Sequence, residues 1–254
     1  MSDPAPDPVP AGSTELAFWD ARYEGKAIAA AAPDDPVLRA ALAHFGDVRG
    51  LHVCDLGSGT GEFALAFLRA GARVTAIDQS EAATRRLSEI AAREGLEGLR
   101  VVHGDACRLG DWGPYDRVFG ALILHHLEPF PTVVEALTRA LAPGGKAFFH
   151  ENNAGIGAPA LWFRQHLAGR LWFPKHGDAQ EHPLTPAELR LLRTALEVRV
   201  AFPELALFRL VSHYVFRDRC VPALFRWLDE VGYAWPPLRR YSYFQYLYVS
   251  VREP

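Results

Sequence analysis

The amino-acid sequence predicts a doubly wound α/β fold, in which helices cover both faces of a mainly parallel sheet. Between about residues 50 and 150, short β-branched segments alternate with longer helical segments, which is the pattern of parallel strands joined by crossover helices. Acidic residues follow three successive predicted strands, and a glycine-rich loop follows the first of them. We therefore expect a ligand site at the carboxyl ends of the strands.

The elements of this region follow one another without a break. Each predicted strand is a short apolar segment rich in β-branched residues, and each predicted helix is longer and ends near glycine or proline. In chain order the predicted strands are residues 51–55, 73–78, 99–103, 117–123 and 146–150, and the predicted helices are about 62–70, 80–94 and 130–142.

The alternation stops after Glu151. Residues 152–185 contain glycines, prolines and a predicted helix at about 158–171, so this segment is interpreted as an insertion. Thr185 and Glu188 precede an apolar segment at the spacing of a capping box, which predicts a helix beginning there. The remaining predictions are a strand near 197–201, an unassigned segment at 205–216, a helix near 223–231 and a final strand at 243–251.

The chain of 254 residues is predicted to form one large domain, since domains commonly hold about 100–200 residues. Residues 1–14 are expected to be a disordered tail, because their prolines accompany almost no apolar side chains. Residues 15–254 are expected to form the domain. Within it, residues 152–185 and about 203–240 are predicted to be insertions that cover the substrate.

Composition and charge exclude several kinds of partner. The formal net charge is −3, so no global positive field would hold DNA or RNA. No secretory signal and no apolar run long enough to span a bilayer is evident, which predicts a cytoplasmic location without a membrane span. The cysteines Cys54, Cys107 and Cys220 are widely spaced and accompany no histidine cluster, which predicts reduced thiols and no metal site.

The strongest functional signal is the segment VCDLGSGTGEF at residues 53–63. Asp55 ends the first strand, and the glycines that follow it predict a tight turn where the backbone approaches a ligand closely. The spacing is G-x-G-x-G after an acid rather than the G-x-G-x-x-G of phosphate-binding loops. Because Asp55 would repel a pyrophosphate and attract an ammonium group, the pattern indicates a cofactor that carries an amino acid.

Two more acids follow the next two strands. Asp78 lies 21 positions after Gly57, near the spacing at which an acid accepts hydrogen bonds from ribose hydroxyls. Asp105 follows the third strand, where a carboxylate can accept from an exocyclic amine and a neighbouring backbone N–H can donate to a ring nitrogen. An acid in one such position is commonly a turn or cap residue, but all three together with the glycine loop indicate one cofactor site.

These residues, with YDRVFGALILHHLEP at 115–129 and ALAPGGKAFF at 140–149, resemble the class I S-adenosylmethionine-dependent methyltransferases of the small-molecule branch. The resemblance covers about residues 50–150. It implies a Rossmann-like seven-stranded mixed sheet with an antiparallel last strand, and S-adenosyl-L-methionine as the cofactor. The cofactor positions that it implies are Asp55, Gly57 and Gly59 for the methionyl part, Asp78 for the ribose, Asp105 and Ala106 for the adenine, the backbone of Ala121 and Leu122 on the methionine side, and Tyr23 in a segment folded over the cofactor.

A general base for the acceptor is expected near the ends of the fourth and fifth strands. His125 and His126 follow the fourth strand, and Glu151 follows the fifth. A neutral imidazole, whose pKa is ordinarily about 6.5, can take a hydroxyl proton at cellular pH. The alternative is that these residues shape the loop and the cofactor site without moving a proton, and the sequence leaves both roles open.

Aromatic residues are concentrated in the second half, since 17 of the 29 lie in residues 154–254. Several are interleaved with basic side chains after the fifth strand, which is a pattern suited to a flat or anionic small molecule. The same pattern fits core packing or a homodimer face, so these readings stay open. The candidate substrate contacts are Trp162, Phe163, Arg164, Trp172 and His182.

The sequence therefore predicts methyl transfer to the oxygen or nitrogen of a small hydrophobic or aromatic metabolite. The excess of Arg over Lys, 24 to 3, suggests a GC-rich bacterial source and, with it, natural product biosynthesis. The alternatives are C-methylation, S-adenosylmethionine binding with cyclisation or rearrangement in place of methylation, and a binding module whose cofactor site is vestigial. NAD-dependent oxidoreduction is disfavoured by the acid before the glycine loop.

Overall fold

The computed structural model describes residues 29–156, 183–216 and 222–252. Within these ranges seven strands form one mixed sheet in the spatial order β3-β2-β1-β4-β5-β7-β6. The strands are β1 His52–Leu56, β2 Arg73–Asp78, β3 Leu99–His103, β4 Tyr115–Ala121, β5 Leu141–Asn152, β6 Glu197–Ala201 and β7 Phe244–Ser250. Strands β1 to β5 pair in parallel, and β7 runs antiparallel between β5 and β6. The predicted fold class, including the antiparallel last strand, is confirmed.

The described residues form seven α-helices. They are α1 Pro36–Phe45, α2 Glu62–Arg69, α3 Glu81–Glu94, α4 Phe130–Ala140, α5 Pro186–Ala195, α6 Leu207–Phe216 and α7 Pro222–Ala234. No helix in these ranges is both long enough and apolar enough to cross a bilayer.

Two helices lie where the sequence analysis assigned no structure. Helix α1 begins after Asp35, whose carboxylate accepts the backbone N–H groups of Val37 and Leu38 at 2.8 and 2.9 Å. An N-cap acid followed by proline at the first helical position is a recognisable start signal. Helix α6 occupies the unassigned segment, and the buried carboxylate of Asp229 accepts the N–H groups of Phe208 and Arg209 at its first turn. This cap comes from α7, so local sequence did not reveal it.

The boundaries of the fourth strand differ from the prediction. The strand ends at Ala121 rather than at residue 123, because Leu122 adopts a left-handed backbone conformation with φ of 56°. A non-glycine residue rarely adopts this conformation, and it turns the chain out of the sheet. The helix predicted at 158–171 and the tail at 1–14 lie outside the described residues.

Alternating side chains give the sheet two buried faces. We call face A the one covered by α1, α2 and α3, whose core includes Phe119 and Phe148 with ring centroids 6.0 Å apart. Face B is covered by α4 and α5, and its core includes Phe149 and Leu247. Because neighbouring residues of a strand point to opposite faces, the face of any side chain at the strand ends follows from its position in the strand.

Helix α5 begins with the predicted capping box. The Thr185 hydroxyl accepts the backbone N–H of Glu188 at 3.3 Å, and the Glu188 carboxylate accepts the N–H of Thr185 at 2.6 Å. These two bonds satisfy donors that the first turn of a helix otherwise leaves without a partner.

Replacing Thr185 by alanine removes the cap, and we expect the free energy of unfolding to fall by about 1 kcal/mol in chemical denaturation. Thr194→Ala is the matched control. Its hydroxyl donates to the carbonyl of Leu191 near the other end of the same helix, on an exposed side chain. A loss in the control as large as in T185A would mean that the capping box is not what stabilises the helix.

Candidate functional site

The glycine loop is anchored to the end of β2. The backbone N–H groups of Gly57 and Ser58 both donate to the carbonyl of Ile77, at 2.8 and 3.0 Å. Gly57 has φ of 69°, and a Cβ built there would lie 2.6 Å from side-chain atoms of Ile123. Both facts require glycine at residue 57, since a side chain would be strained and would collide with the loop that follows β4.

Asp55 lies beneath this loop on face A, and its side chain fits a cation. The residue is 2% exposed, and its Oδ2 has no hydrogen-bond partner among the described residues. Burial raises the pKa of Asp55 to about 7, with smaller raising effects from Asp78 and Glu62 and a lowering effect from the N–H of Ala64. A buried carboxylate oxygen without a partner is costly to the folded protein. An ammonium group would satisfy it.

Asp78 and Asp105 both hold backbone at the ends of their strands. The carboxylate of Asp78 accepts the N–H of Gly59 at 2.7 Å and that of Ser80 at 2.8 Å. Asp105 is exposed and accepts the N–H of Cys107 at 2.8 Å. Each carboxylate oxygen has a second lone pair, so these structural bonds leave acceptor capacity for a ligand.

A short turn carries the predicted adenine side of the site. It spans Ala106–Asp111, and Ala106 is buried at its start. Gln79, which follows Asp78, donates from Nε2 to Asp105 at 3.3 Å and so links the ends of β2 and β3. The sequence analysis did not single out Gln79, because a glutamine after a strand carries no signal by itself.

The end of β4 passes directly into an exposed loop. Ala121 is the last strand residue, and Leu122 is 40% exposed in its left-handed conformation. The N–H of Leu122 donates to the carbonyl of His150 on β5 at 2.7 Å. A strained residue held this way by the neighbouring strand is typical of a ligand site.

His125 and Glu151 form a buried pair. Nδ1 of His125 lies 2.7 Å from Oε2 of Glu151, and their side chains are 1% and 0% exposed. The other carboxylate oxygen accepts the backbone N–H groups of Ile123 and Leu124, at 3.0 and 2.8 Å. The ring of His126 lies 4.1 Å from that of His125. The structure thus brings together the three residues that the sequence nominated as candidate bases, with Glu151 binding the loop after β4.

Several nominated residues lie outside the described residues: Tyr23, Trp162, Phe163, Arg164, Trp172 and His182. In the described ranges, no group of three or more histidine, cysteine, aspartate or glutamate side chains is arranged to hold a metal ion. The sequence analysis also passed over His150, which pairs with Ala121 at the end of β4. Only the register of β4 with β5 reveals that position.

The chain resembles known proteins over the region that builds this site. The family described as a methyltransferase domain matches residues 53–145. A ubiquinone biosynthesis O-methyltransferase of Idiomarina loihiensis is 29% identical over 153 residues, covering 58% of this chain and 60% of that protein. The chain therefore spans about three fifths of the length of this curated relative.

Solved structures share the fold at low sequence identity. A putative sarcosine dimethylglycine methyltransferase from Galdieria sulphuraria is 16% identical with a TM-score of 0.58, covering 93% of this chain and 98% of its own. A [4+2]-cyclase is 17% identical with a TM-score of 0.58, and the match covers 96% of this chain and 95% of the cyclase. The residues that match the methyltransferase domain are also those that build the glycine loop and the ends of the first four strands, so this part of the chain is similar to a methyltransferase domain.

Proposed function

We propose that this protein transfers the methyl group of S-adenosyl-L-methionine to an oxygen or nitrogen atom of a small hydrophobic or aromatic metabolite. The observation that carries the proposal is the buried Asp55 carboxylate, whose Oδ2 has no partner among the described residues and lies under a G-x-G-x-G loop. The match to a methyltransferase domain supports S-adenosyl-L-methionine as the cofactor, and its ammonium group is what such an oxygen would bind. The name of the Idiomarina relative favours oxygen as the acceptor atom.

The bound cofactor would supply an electrophilic methyl group, and the chain's own residues would bind and orient it. Asp55, with the backbone of Gly57 and Gly59, would hold the methionyl part, and Asp78 the ribose. Asp105 and Ala106 would hold the adenine. These residues lie at the ends of adjacent strands, so a rigid sheet fixes their spacing, which favours positioning as the main source of rate acceleration.

For His125 and Glu151 we propose a positioning role. The Glu151 carboxylate accepts hydrogen bonds from the backbone N–H groups of Ile123 and Leu124 and from His125, and the latter two bonds are buried. This bonding fixes the loop of residues 122–124 beside Gly57, where the cofactor is expected. Natural product biosynthesis, a cytoplasmic location and a homodimer also stay predictions.

The proposed reaction is tested by incubating the protein with S-adenosyl-L-methionine carrying a deuterated methyl group and a panel of hydroxylated and aminated aromatic compounds. We expect S-adenosylhomocysteine to form only when an acceptor is present, in step with a product that carries the label, both measured by mass spectrometry. Binding of the cofactor with conversion of an acceptor but no label transfer would instead support the cyclisation or rearrangement alternative.

Replacing Asp55 by asparagine is expected to weaken cofactor binding and to stabilise the cofactor-free protein. The loss of a charged hydrogen bond of about 2 kcal/mol would raise the Kd for S-adenosylhomocysteine roughly 30-fold in calorimetry. Asp34→Asn, at an exposed residue next to helix α1, is the control and should change neither quantity.

The stabilising effect of D55N should depend on pH in a defined direction. Because burial raises the pKa of Asp55 to about 7, the folded wild type binds a proton that the unfolded chain has already lost above its ordinary pKa. The free energy of unfolding of the wild type therefore falls as the pH rises from the ordinary pKa of an aspartate to about 7. The fall that Asp55 causes is roughly 1.4 kcal/mol per pH unit. We expect the Tm of D55N to exceed that of the wild type by more at pH 8 than at pH 5. An equal difference at both pH values would contradict a raised pKa.

Replacing Glu151 by glutamine is expected to reduce turnover and cofactor affinity together. Both oxygens of the Glu151 carboxylate accept hydrogen bonds, and an amide has only one acceptor oxygen. One set of buried N–H donors therefore loses its partner, and we expect the free energy of unfolding to fall by about 1–3 kcal/mol. Glu135→Gln, on the exposed side of helix α4, is the control. If E151Q lost turnover while stability and the Kd for S-adenosylhomocysteine stayed at wild-type values, the positioning role would be wrong and proton transfer through the pair would be favoured.

A further inference from the structure

His150 and Glu151 are neighbours on β5, so their side chains point to opposite faces of the sheet. The preceding residues establish the pattern, since Phe148 belongs to the core of face A and Phe149 to the core of face B. His150 therefore lies on face A and Glu151 on face B. The Glu151 carboxylate bonds to Nδ1 of His125.

His150 shares its face with the residues assigned to the methionyl part of the cofactor. Asp55 lies on face A of β1, and Ala121 packs against the same core at the end of β4. His150 pairs with Ala121 on one side and with Tyr246 of β7 on the other. Strands are about 4.8 Å apart, so His150 lies roughly 10 Å across the sheet from the strand of Asp55. That position is one strand beyond the methionine side, where an acceptor has to approach.

Aromatic rings hold the imidazole in place. The ring of His150 lies 4.7 Å from that of Phe244 and 5.4 Å from that of Tyr246, the latter in an edge-to-face arrangement. His150 is half-buried, and its ring nitrogens make no hydrogen bond with the residues that the structure describes. Packing therefore orients the ring while its nitrogens keep their hydrogen-bonding capacity for a ligand.

Among the described residues, the charged groups around His150 are all acidic. Glu151 lies beside it on β5, Asp35 at the start of helix α1, and Glu204 in the segment before helix α6. Burial lowers the pKa of His150, and these three carboxylates raise it by smaller amounts. Burial also raises the pKa of Tyr246 to about 12, with contributions from Glu204 and Asp35. The imidazole is thus neutral near pH 7 and can accept a proton, whereas the phenol keeps its own.

We propose that His150, Phe244 and Tyr246 form the acceptor subsite, that the acceptor is a planar molecule bearing a hydroxyl group, and that His150 takes the hydroxyl proton. This inference rests on the proposed methyl transfer. The O–H bond breaks with its proton moving to an imidazole nitrogen and its electron pair staying on oxygen. The oxygen then bonds to the methyl carbon as the carbon–sulfur bond breaks, which leaves a neutral thioether, and the imidazolium returns its proton to water.

A first experiment needs no cofactor. The probe is 4-nitrocatechol, a planar hydroxylated ring whose visible spectrum changes when it ionises. We expect the bound probe to ionise at lower pH on the wild type than on His150→Gln, and to shift the His150 signal in NMR spectra of histidine-labelled protein. No change in that signal up to the solubility of the probe, or identical ionisation on both proteins, would overturn the subsite.

The matched control is His44→Gln. His44 is also partly buried, lies 5.3 Å edge-to-face from a tyrosine of β7, Tyr248, and has its pKa lowered by burial. It lies at the opposite end of the sheet, near Val249, and should leave the ionisation of the probe unchanged. A change in H44Q equal to that in H150Q would show that the effect is not specific to the subsite and would contradict the proposal.

A second experiment uses the acceptor found in the methyl-transfer assay. We expect H150Q to lower kcat by about 100-fold or more, the range of general base catalysis, while the Kd for S-adenosylhomocysteine stays within about twofold of wild type. The wild-type pH profile of kcat/KM should rise through the pKa of His150 and then level off, and H150Q should lose this step. Wild-type turnover with an unchanged pH profile in H150Q would overturn the role of His150.

The two proposals fail in different ways. If the probe binds and ionises beside His150 but no acceptor is ever methylated, the proposed methyl transfer is wrong and the subsite is retained. If methyl transfer proceeds in H150Q as in the wild type, the methyl transfer is retained and the role of His150 is wrong.

Discussion

The carboxylate of Glu151 is the interaction on which the geometry of the site depends. It accepts two backbone N–H groups from the loop after β4 and bonds to His125, and the bonds to Leu124 and His125 are buried. That loop carries Ile123, whose side chain occupies the space that a Cβ at Gly57 would need. The Glu151 carboxylate on β5 therefore fixes the position of the loop after β4. That loop in turn limits how closely the glycine loop after β1 can approach it. One buried carboxylate thus connects β5 to the loop after β4, and Ile123 of that loop packs against the loop after β1.

Asp55 shows what this construction costs. Its carboxylate is buried without a partner for Oδ2 among the described residues, and its raised pKa records the energetic penalty. An uncharged residue would suit the folded chain better in the absence of a ligand. A group kept in such a state is typical of functional sites, where stability and function oppose each other. Asp78 and Asp105 are different, because each also holds backbone and contributes to folding with or without a ligand.

Much of the fold, and the gathering of three acids near the ends of adjacent strands, was predictable because it depends on local patterns. Asp78 ends β2 and Asp55 is the next-to-last residue of β1, and strand ends follow from hydrophobic alternation and the glycines after them. The antiparallel place of β7 came from family resemblance, which the sheet order confirms. Helix α1 was not predicted although Asp35 and Pro36 form a start signal, because it precedes the alternating region from which the fold class follows.

The acceptor side was not predictable in the same way. His150 becomes a candidate only through its register with Ala121, 29 positions earlier, and with Tyr246, 96 positions later. The hydrogen bond between His125 and Glu151 could not be predicted from the sequence either. Each residue was nominated separately, and no sequence pattern shows that the Glu151 carboxylate bonds to the His125 ring. Aromatic residues of the second half reach the site through β7, which explains part of their excess there.

The late position of β7 has a consequence for the order in which the molecule assembles during synthesis. Strand β5 pairs with β7 across a long separation, as in the hydrogen bond from Gln245 to the carbonyl of Asn152, 93 residues away. Until residues 244–250 have left the ribosome, the β5 edge has no partner on that side, and an unpaired edge invites association with other chains. The same pairing that brings the rings of Phe244 and Tyr246 against His150 also covers that edge of β5. The proposed acceptor subsite is therefore completed at the same moment as the β5 edge is protected from aggregation.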